Sequence, residues 1–141
     1  MIMAIIYVHQ HCPVCQSLLR FTSWRGASMR KCVPIIFRDV DQISTAEKRT
    51  VYPYTYDPQY GAVFRVVTPY LVIADVSLED GFRIERVYYR KVITPAQHTF
   101  TEPEVREIIY TTHAWCSHVR ESAEHLGEKS RRRGRKSKKE D

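Results

Sequence analysis

Residues 9–15 read His-Gln-His-Cys-Pro-Val-Cys, placing His9, His11, Cys12 and Cys15 within one short stretch. Two cysteines at this spacing can act as a dithiol that exchanges with disulfides, form half of a tetrahedral zinc site, or be inert thiols. Disulfide exchange needs a thiolate as the attacking group. Pro13 suits the first position of a helix, where its missing N–H costs nothing, so Cys12 falls at the N-cap. Unpaired N–H groups of a first helical turn favour an anion there and lower a cysteine from its free value of ~8.5. Cys15 then lies one turn later on the same side. His9 and His11 either add positive potential and assist proton transfer, or are simply solvated. A structural zinc commonly takes four ligands in two paired sets. Cys32 and Cys116 are single, and the histidines offer no second pair. The redox reading is therefore preferred, and no metal is expected.

The elements that must position these residues follow from pattern. "AIIYVHQ" (4–10) has the β-branched and aromatic content of a buried strand. A helix starts at Pro13 and runs through "PVCQSLLRFTSWR", with Val14, Leu18 and Phe21 on one face and Gly26 and Ser28 ending it. "VPIIFRDVD" (33–41) is a second strand with Pro34 near its start. Strand, helix and strand at this spacing make a βαβ unit with parallel strands. Residues 42–49 suit a short helix, and the tyrosine-rich stretch 50–67 reads as a structured loop or irregular insertion. "TPYLVIADV" (68–76) and "FRIERVYY" (82–89) are strands joined by a hairpin turn at Asp80-Gly81. Residues 104–126 form an amphipathic helix with Val105, Ile108, Ile109, Thr112, Cys116, Val119, Ala123 and Leu126 on its stripe and Gly127 as its stop.

This order, with Cys-Pro-Val-Cys at a strand-to-helix turn, Thr68-Pro69 before the third strand and a hairpin followed by a C-terminal helix, resembles the thioredoxin-like superfamily. The form with proline directly after the first cysteine is most similar to glutaredoxins, including the small glutaredoxin-like proteins of large DNA viruses. The resemblance spans residues 4–126. It implies an α/β, thioredoxin-like fold with a central mixed four-stranded sheet flanked by helices. It also implies a thiol–disulfide oxidoreductase with Cys12 as nucleophile and Cys15 as resolving cysteine. Thr68 and Pro69, the latter after a cis peptide bond, would shape the substrate groove, with His11 and Pro13 beside it. The substrates implied are protein disulfides or glutathione, the latter as a co-substrate, with no bound cofactor. Where glutaredoxins carry a lysine before the motif and a Gly-Gly stretch after the last strand, this chain has "HQH" and "YYRKVITPAQ".

At 141 residues and 43% apolar composition, one domain with one core is expected, over residues 1–127. Four cysteines are too sparse for a disulfide-stapled secreted scaffold. "MIMAIIYV" is too short to span a bilayer and lacks the basic region and cleavage site of a signal peptide. A cytoplasmic protein without a membrane partner is expected. The net charge of +6 is uneven: residues 130–139 hold seven basic residues and no acidic one, leaving 15 basic against 14 acidic in residues 1–129. A run of this kind buries no apolar surface, so residues 128–141 are expected to be a disordered basic tail. Its Arg131–Lys139 segment suits phosphate neutralisation on nucleic acid, recognition by a nuclear import factor, or plain solubilisation. A second class of function therefore stands beside the enzyme: a structural or binding protein, for example virion-associated, that docks on nucleic acid through this tail with little redox turnover.

Remaining groups have quieter expected roles. Cys116 falls on the buried stripe and Cys32 precedes a strand, so both are structural. His113, His118 and His125 do not form a compact ligand set and are read as a solvated helix face. Tyr52, Tyr54, Tyr56 and Tyr60 serve either as loop packing or as a partner surface.

Overall fold

A computed structural model describes the backbone of residues 1–24 and 34–140, and side chains in residues 1–24 and 34–122. The element order is β1 (Ile2–Val8), α1 (Pro13–Leu19), β2 (Ile35–Asp39), α2 (Thr45–Val51), β3 (Tyr54–Asp57), β4 (Gly61–Phe64), β5 (Tyr70–Ser77), β6 (Arg83–Val92) and α3 (Glu102–Glu140). The fold is mixed α/β. Four strands form one sheet in the order β2-β1-β5-β6, and β3 and β4 form a separate ribbon. β1 is parallel to β2, from Ala4 opposite Ile35 to Val8 opposite Asp39. It is antiparallel to β5, which is in turn antiparallel to β6. The expected βαβ unit, its parallel strand pair and the later hairpin are all present. No helix of the described residues is long and apolar enough to cross a membrane.

β1 reads as an unbroken apolar run because both its faces are covered. Its side chains alternate between two cores. Ala4, Ile6 and Val8 join Leu71 and Ile73 of β5 on one face, where α1 contributes Cys15 and Leu18 and α3 contributes Val105, Cys116 and Val119. Met3, Ile5 and Tyr7 join Tyr70, Val72, Ala74 and Val76 on the other, where Val51 of α2 packs with Val40, Ile43 and Tyr52. Each fully buried side chain of this size stabilises the fold by about 1.5–3 kcal/mol relative to exposure.

The second core contains one polar network. Ser44 caps α2 by accepting the Glu47 N–H at 3.1 Å. That places Glu47 under the sheet, where its carboxylate accepts the Tyr7 hydroxyl at 2.8 Å and the Arg38 guanidinium at 2.8 and 2.6 Å. Arg38 also lies 3.9 Å from the centroid of the Phe82 ring. Burial, then the neighbouring Glu47 charge, hold the Tyr7 hydroxyl far above its ordinary range, so it stays a donor.

Four expectations need correction. α1 ends at Leu19 instead of running on through Phe21 and Thr22, and helical turn resumes at Ser23 and Trp24, where the Trp24 indole folds back, donates to the Leu18 carbonyl at 3.0 Å and packs edge-on against Phe37. The expected stops at Gly26 and Ser28, and Cys32, lie outside the described residues. Residues 50–67 are not an irregular insertion but contain the β3–β4 hairpin. It turns at Asp57-Pro58, with the Asp57 carboxylate accepting the Gln59 and Tyr60 N–H groups and Gly61 at a φ of 78°. Tyr54, Thr55, Tyr56 and Val63 are all exposed, so no buried face imposes an alternating pattern on this ribbon.

α3 begins earlier than expected, at a turn in which Glu104 accepts the Thr101 N–H and hydroxyl. It then runs through Gly127, where a stop was expected, as far as Glu140. Each of its two glycines, Gly127 and Gly134, costs only about 1 kcal/mol, and lysine and arginine are good helix formers. The side chains of Arg131–Lys139, and with them the expected tail contacts, lie outside the described residues. Finally, His113 is buried and not on a solvated face. It sits eight residues after Val105 and four after Ile109, within the width of the same apolar stripe.

Glu47→Gln keeps a partner for Tyr7 but removes the charge facing Arg38. The midpoint of chemical unfolding should fall by the equivalent of about 1–3 kcal/mol. An unchanged midpoint would show that this network adds nothing to stability.

Candidate functional site

β1 and β2 run in the same direction, so their C-terminal ends open on one edge of the sheet. The chain leaving β1 turns there through His9, Gln10 and His11. The Cys12 N–H donates to the His9 carbonyl at 3.1 Å, closing the turn. Cys12 has extended backbone angles and is the N-cap of α1, with Pro13 inside the first turn, as expected. Its sulfur accepts the Cys15 N–H at 3.4 Å. Ser17, in the next turn, donates to the Val14 carbonyl and accepts the Phe100 N–H at 3.1 Å, which ties α1 to the segment ahead of α3.

The two thiols meet different surroundings. Cys12 is half-buried, while Cys15 is fully buried against the first core. Both are free thiols. Burial pulls the Cys12 thiol upward, but hydrogen bonds from the Cys15 N–H, the Cys15 side chain, the Thr68 hydroxyl and the Val14 N–H together bring it below its ordinary value. For Cys15 burial is again the largest influence, and here it wins. The His9 N–H, 3.5 Å from the sulfur, and the Thr68 hydroxyl oppose it, while Cys12 reinforces it, so the Cys15 thiol is raised. α1 spans only seven residues, so these nearby N–H groups, rather than a long helix dipole, distinguish the two sulfurs.

Thr68 and Pro69 reach the site from the start of β5, and the peptide bond between them is cis, as the resemblance implied. Thr68 is half-exposed and Pro69 buried. The chain ahead of them is fixed by a residue with no anticipated role there. Tyr52 is buried, stacks on Tyr70 with ring centroids 4.7 Å apart, and donates its hydroxyl to the Val67 carbonyl at 2.9 Å. Burial, with smaller contributions from Tyr70 and Cys15, holds the Tyr52 hydroxyl well above its ordinary value and keeps it a donor. The anticipated tyrosine cluster is therefore divided: Tyr52 supports the site, whereas Tyr54, Tyr56 and Tyr60 are exposed on the hairpin.

Of the sequence-predicted site residues, Cys12, Cys15 and Thr68 converge on one another, with Pro69 directly behind Thr68. Pro13 is exposed at the helix start, and His11 is exposed with its N–H donated to His9 Nδ1 at 3.1 Å. Sequence reasoning missed Asp41, whose carboxylate lies 2.9 Å from His9 Nε2. Its signal was positional, since Asp41 leaves β2 on the edge where His9 leaves β1. Among the described residues no three His, Cys, Asp or Glu side chains are gathered as metal ligands.

No family model, curated protein or solved structure matches the chain.

Cys116 lies in the first core, where burial, opposed only in part by Arg120, pushes its thiol up from 9.0 to about 11. A raised thiol favours the neutral form in the folded state. Its contribution to stability is present below pH 9 and lost as the pH rises towards about 11. Cys116→Ala should flatten the decline in unfolding free energy across that window. Persistence of the full decline would place its origin elsewhere.

Proposed function

We propose that the chain is a thiol–disulfide oxidoreductase of glutaredoxin-like type on a thioredoxin-like fold, using Cys12 and Cys15. The observation that carries this reading is the unequal treatment of the two sulfurs at one helix start. The more accessible sulfur accepts the Cys15 N–H at 3.4 Å and is favoured as an anion, whereas burial disfavours ionisation of the sulfur beside it. Such a difference suits one thiol for attack and the other for resolution.

In the reductive direction, the Cys12 thiolate attacks one sulfur of a substrate disulfide. A Cys12–substrate bond forms, the substrate S–S bond breaks, and the departing thiolate takes up a proton. Cys15 then loses its proton and attacks Cys12 Sγ, forming the Cys12–Cys15 disulfide and releasing the second substrate thiol. Two electrons pass from the protein dithiol to the substrate. Two molecules of a monothiol such as glutathione, or one external dithiol, restore the starting state.

Thr68 has two functions in this scheme. Its hydroxyl supports the Cys12 thiolate, and its main chain, just ahead of β5, would pair with an extended substrate. The mixed four-stranded sheet, the position of the dithiol at the end of β1 and the Thr68-Pro69 segment opposite it support the thioredoxin-like assignment. Protein disulfides and glutathione-containing disulfides are the substrate classes.

Cys12→Ser should abolish exchange with a model protein disulfide. Cys15→Ser should retain attack but accumulate a Cys12–substrate mixed disulfide, visible by mass spectrometry under non-reducing conditions. Undiminished multiple turnover in Cys15→Ser, with no trapped adduct, would refute the dithiol scheme.

A further inference from the structure

Because β1 and β2 are parallel neighbours, the turns leaving them emerge side by side. Val8 is opposite Asp39, and the Val40 N–H donates to the Val8 carbonyl at 3.0 Å. His9 and Asp41 are the next residues outward on the two chains, and their side chains meet with His9 Nε2 2.9 Å from Asp41 Oδ2. Asp41 is itself anchored through its N–H, which donates to Asp39 Oδ1 at 2.9 Å. The other imidazole nitrogen, Nδ1, accepts the His11 N–H at 3.1 Å. With Nδ1 accepting and Nε2 facing a carboxylate, this hydrogen-bond pattern assigns the proton to Nε2 and the lone pair to Nδ1. The main chain of the same residue reaches both cysteines: its carbonyl accepts the Cys12 N–H at 3.1 Å, and its N–H points at Cys15 Sγ at 3.5 Å.

We infer that His9 and Asp41 are a positioning pair for the Cys12–Cys15 dithiol: Asp41 fixes the His9 ring so that its Nδ1 lone pair holds the His11 N–H and, with it, the turn that presents both sulfurs. The inference rests on the dithiol reading proposed above. Neither side chain is a catalytic residue, since the pair acts through the turn. The His9 and Asp41 side chains are 33% and 52% exposed, so their attraction alone contributes little stability. The role of Asp41 is to choose the tautomer.

A chemical consequence follows. A second proton on His9 turns Nδ1 from acceptor into donor, opposite the His11 N–H, which is also a donor. The turn then loses that hydrogen bond although Asp41 keeps its hold on Nε2. Among the described residues, the charged and titratable groups around His9 are Asp41 with Asp39 behind it on the β2 side, the His11 ring at 5.6 Å between centroids on the same turn, and Cys12 and Cys15 beside them. A positive His9 is thus predicted to loosen the site rather than to activate it.

The test uses the reduced full-length chain and follows alkylation of Cys12 by iodoacetamide across pH, read by peptide mass spectrometry. The variants are Asp41→Ala, His9→Gln and His9→Asn, with circular dichroism to verify folding. The Asn carboxamide oxygen reaches the place of Nδ1 and can accept the His11 N–H, whereas the Gln carboxamide reaches the place of Nε2 and cannot. Asp41→Ala and His9→Gln should slow Cys12 at neutral pH by roughly two- to tenfold, the scale of one positioning hydrogen bond. His9→Asn should stay near the wild-type rate.

Nitrogen NMR of the wild-type His9 ring is independent of variant folding and should report the Nε2–H tautomer. Equal rates in all four proteins, with Cys12 still more reactive than free cysteine, would overturn the positioning role while leaving the dithiol reading in place. An Nδ1–H tautomer would do the same. A wild-type Cys12 no more reactive than free cysteine would overturn both.

Discussion

Strand β1 is hydrogen-bonded along both edges, to β2 and β5, and packed on both faces by separate cores. A strand so enclosed cannot slip by one residue, because every side chain would exchange one core for the other. Its C-terminal end is therefore a fixed point, and the candidate site is built outward from it. The His9–His11 turn, the Cys12 N-cap and Cys15 all follow within one short stretch. Asp41 arrives from the parallel neighbour β2, and Thr68 from the start of the antiparallel neighbour β5. Pairing of β1 with two strands of opposite direction brings the end of one and the beginning of the other to the same edge.

The chemistry at that edge depends on small differences in solvation and hydrogen bonding between similar groups. Cys12 and Cys15 are one helical turn apart, and burial opposes ionisation of each. Several donors converge on Cys12 and outweigh its burial; those reaching Cys15 do not. The supporting groups are themselves fixed by hydrogen bonds. Tyr52 holds the chain just ahead of Thr68, and Ser17 ties α1 to the chain before α3. Under the proposed reading, this asymmetry separates a nucleophile from a resolving thiol.

Much of the scaffold was legible in the residues. The doubly buried strands announce themselves through Ile5–Val8 and Leu71–Ala74, whose apolar runs leave no polar face. Cys12-Pro13 marks a helix start because few other placements suit proline after a small capping side chain. The β3–β4 hairpin was illegible for the opposite reason, since neither of its faces is buried and its tyrosines follow no period. The end of α1 goes with the return of the Trp24 indole to the Leu18 carbonyl six residues earlier, and the burial of His113 depends on how wide a stripe α3 presents to the sheet. Asp41 shows the limit most plainly. It lies 32 residues after His9 in the sequence, and only the parallel pairing of β1 with β2 brings the two together.

The central claim is that Cys12 and Cys15 form a working redox couple, and equilibrium titration of the purified chain against a glutathione redox buffer tests it most directly. The account predicts one reversible two-electron transition, assigned by mass to a Cys12–Cys15 disulfide and absent from Cys12→Ser. A chain whose Cys12 and Cys15 stay reduced across the whole buffer range, or whose transition survives Cys12→Ser, would contradict it.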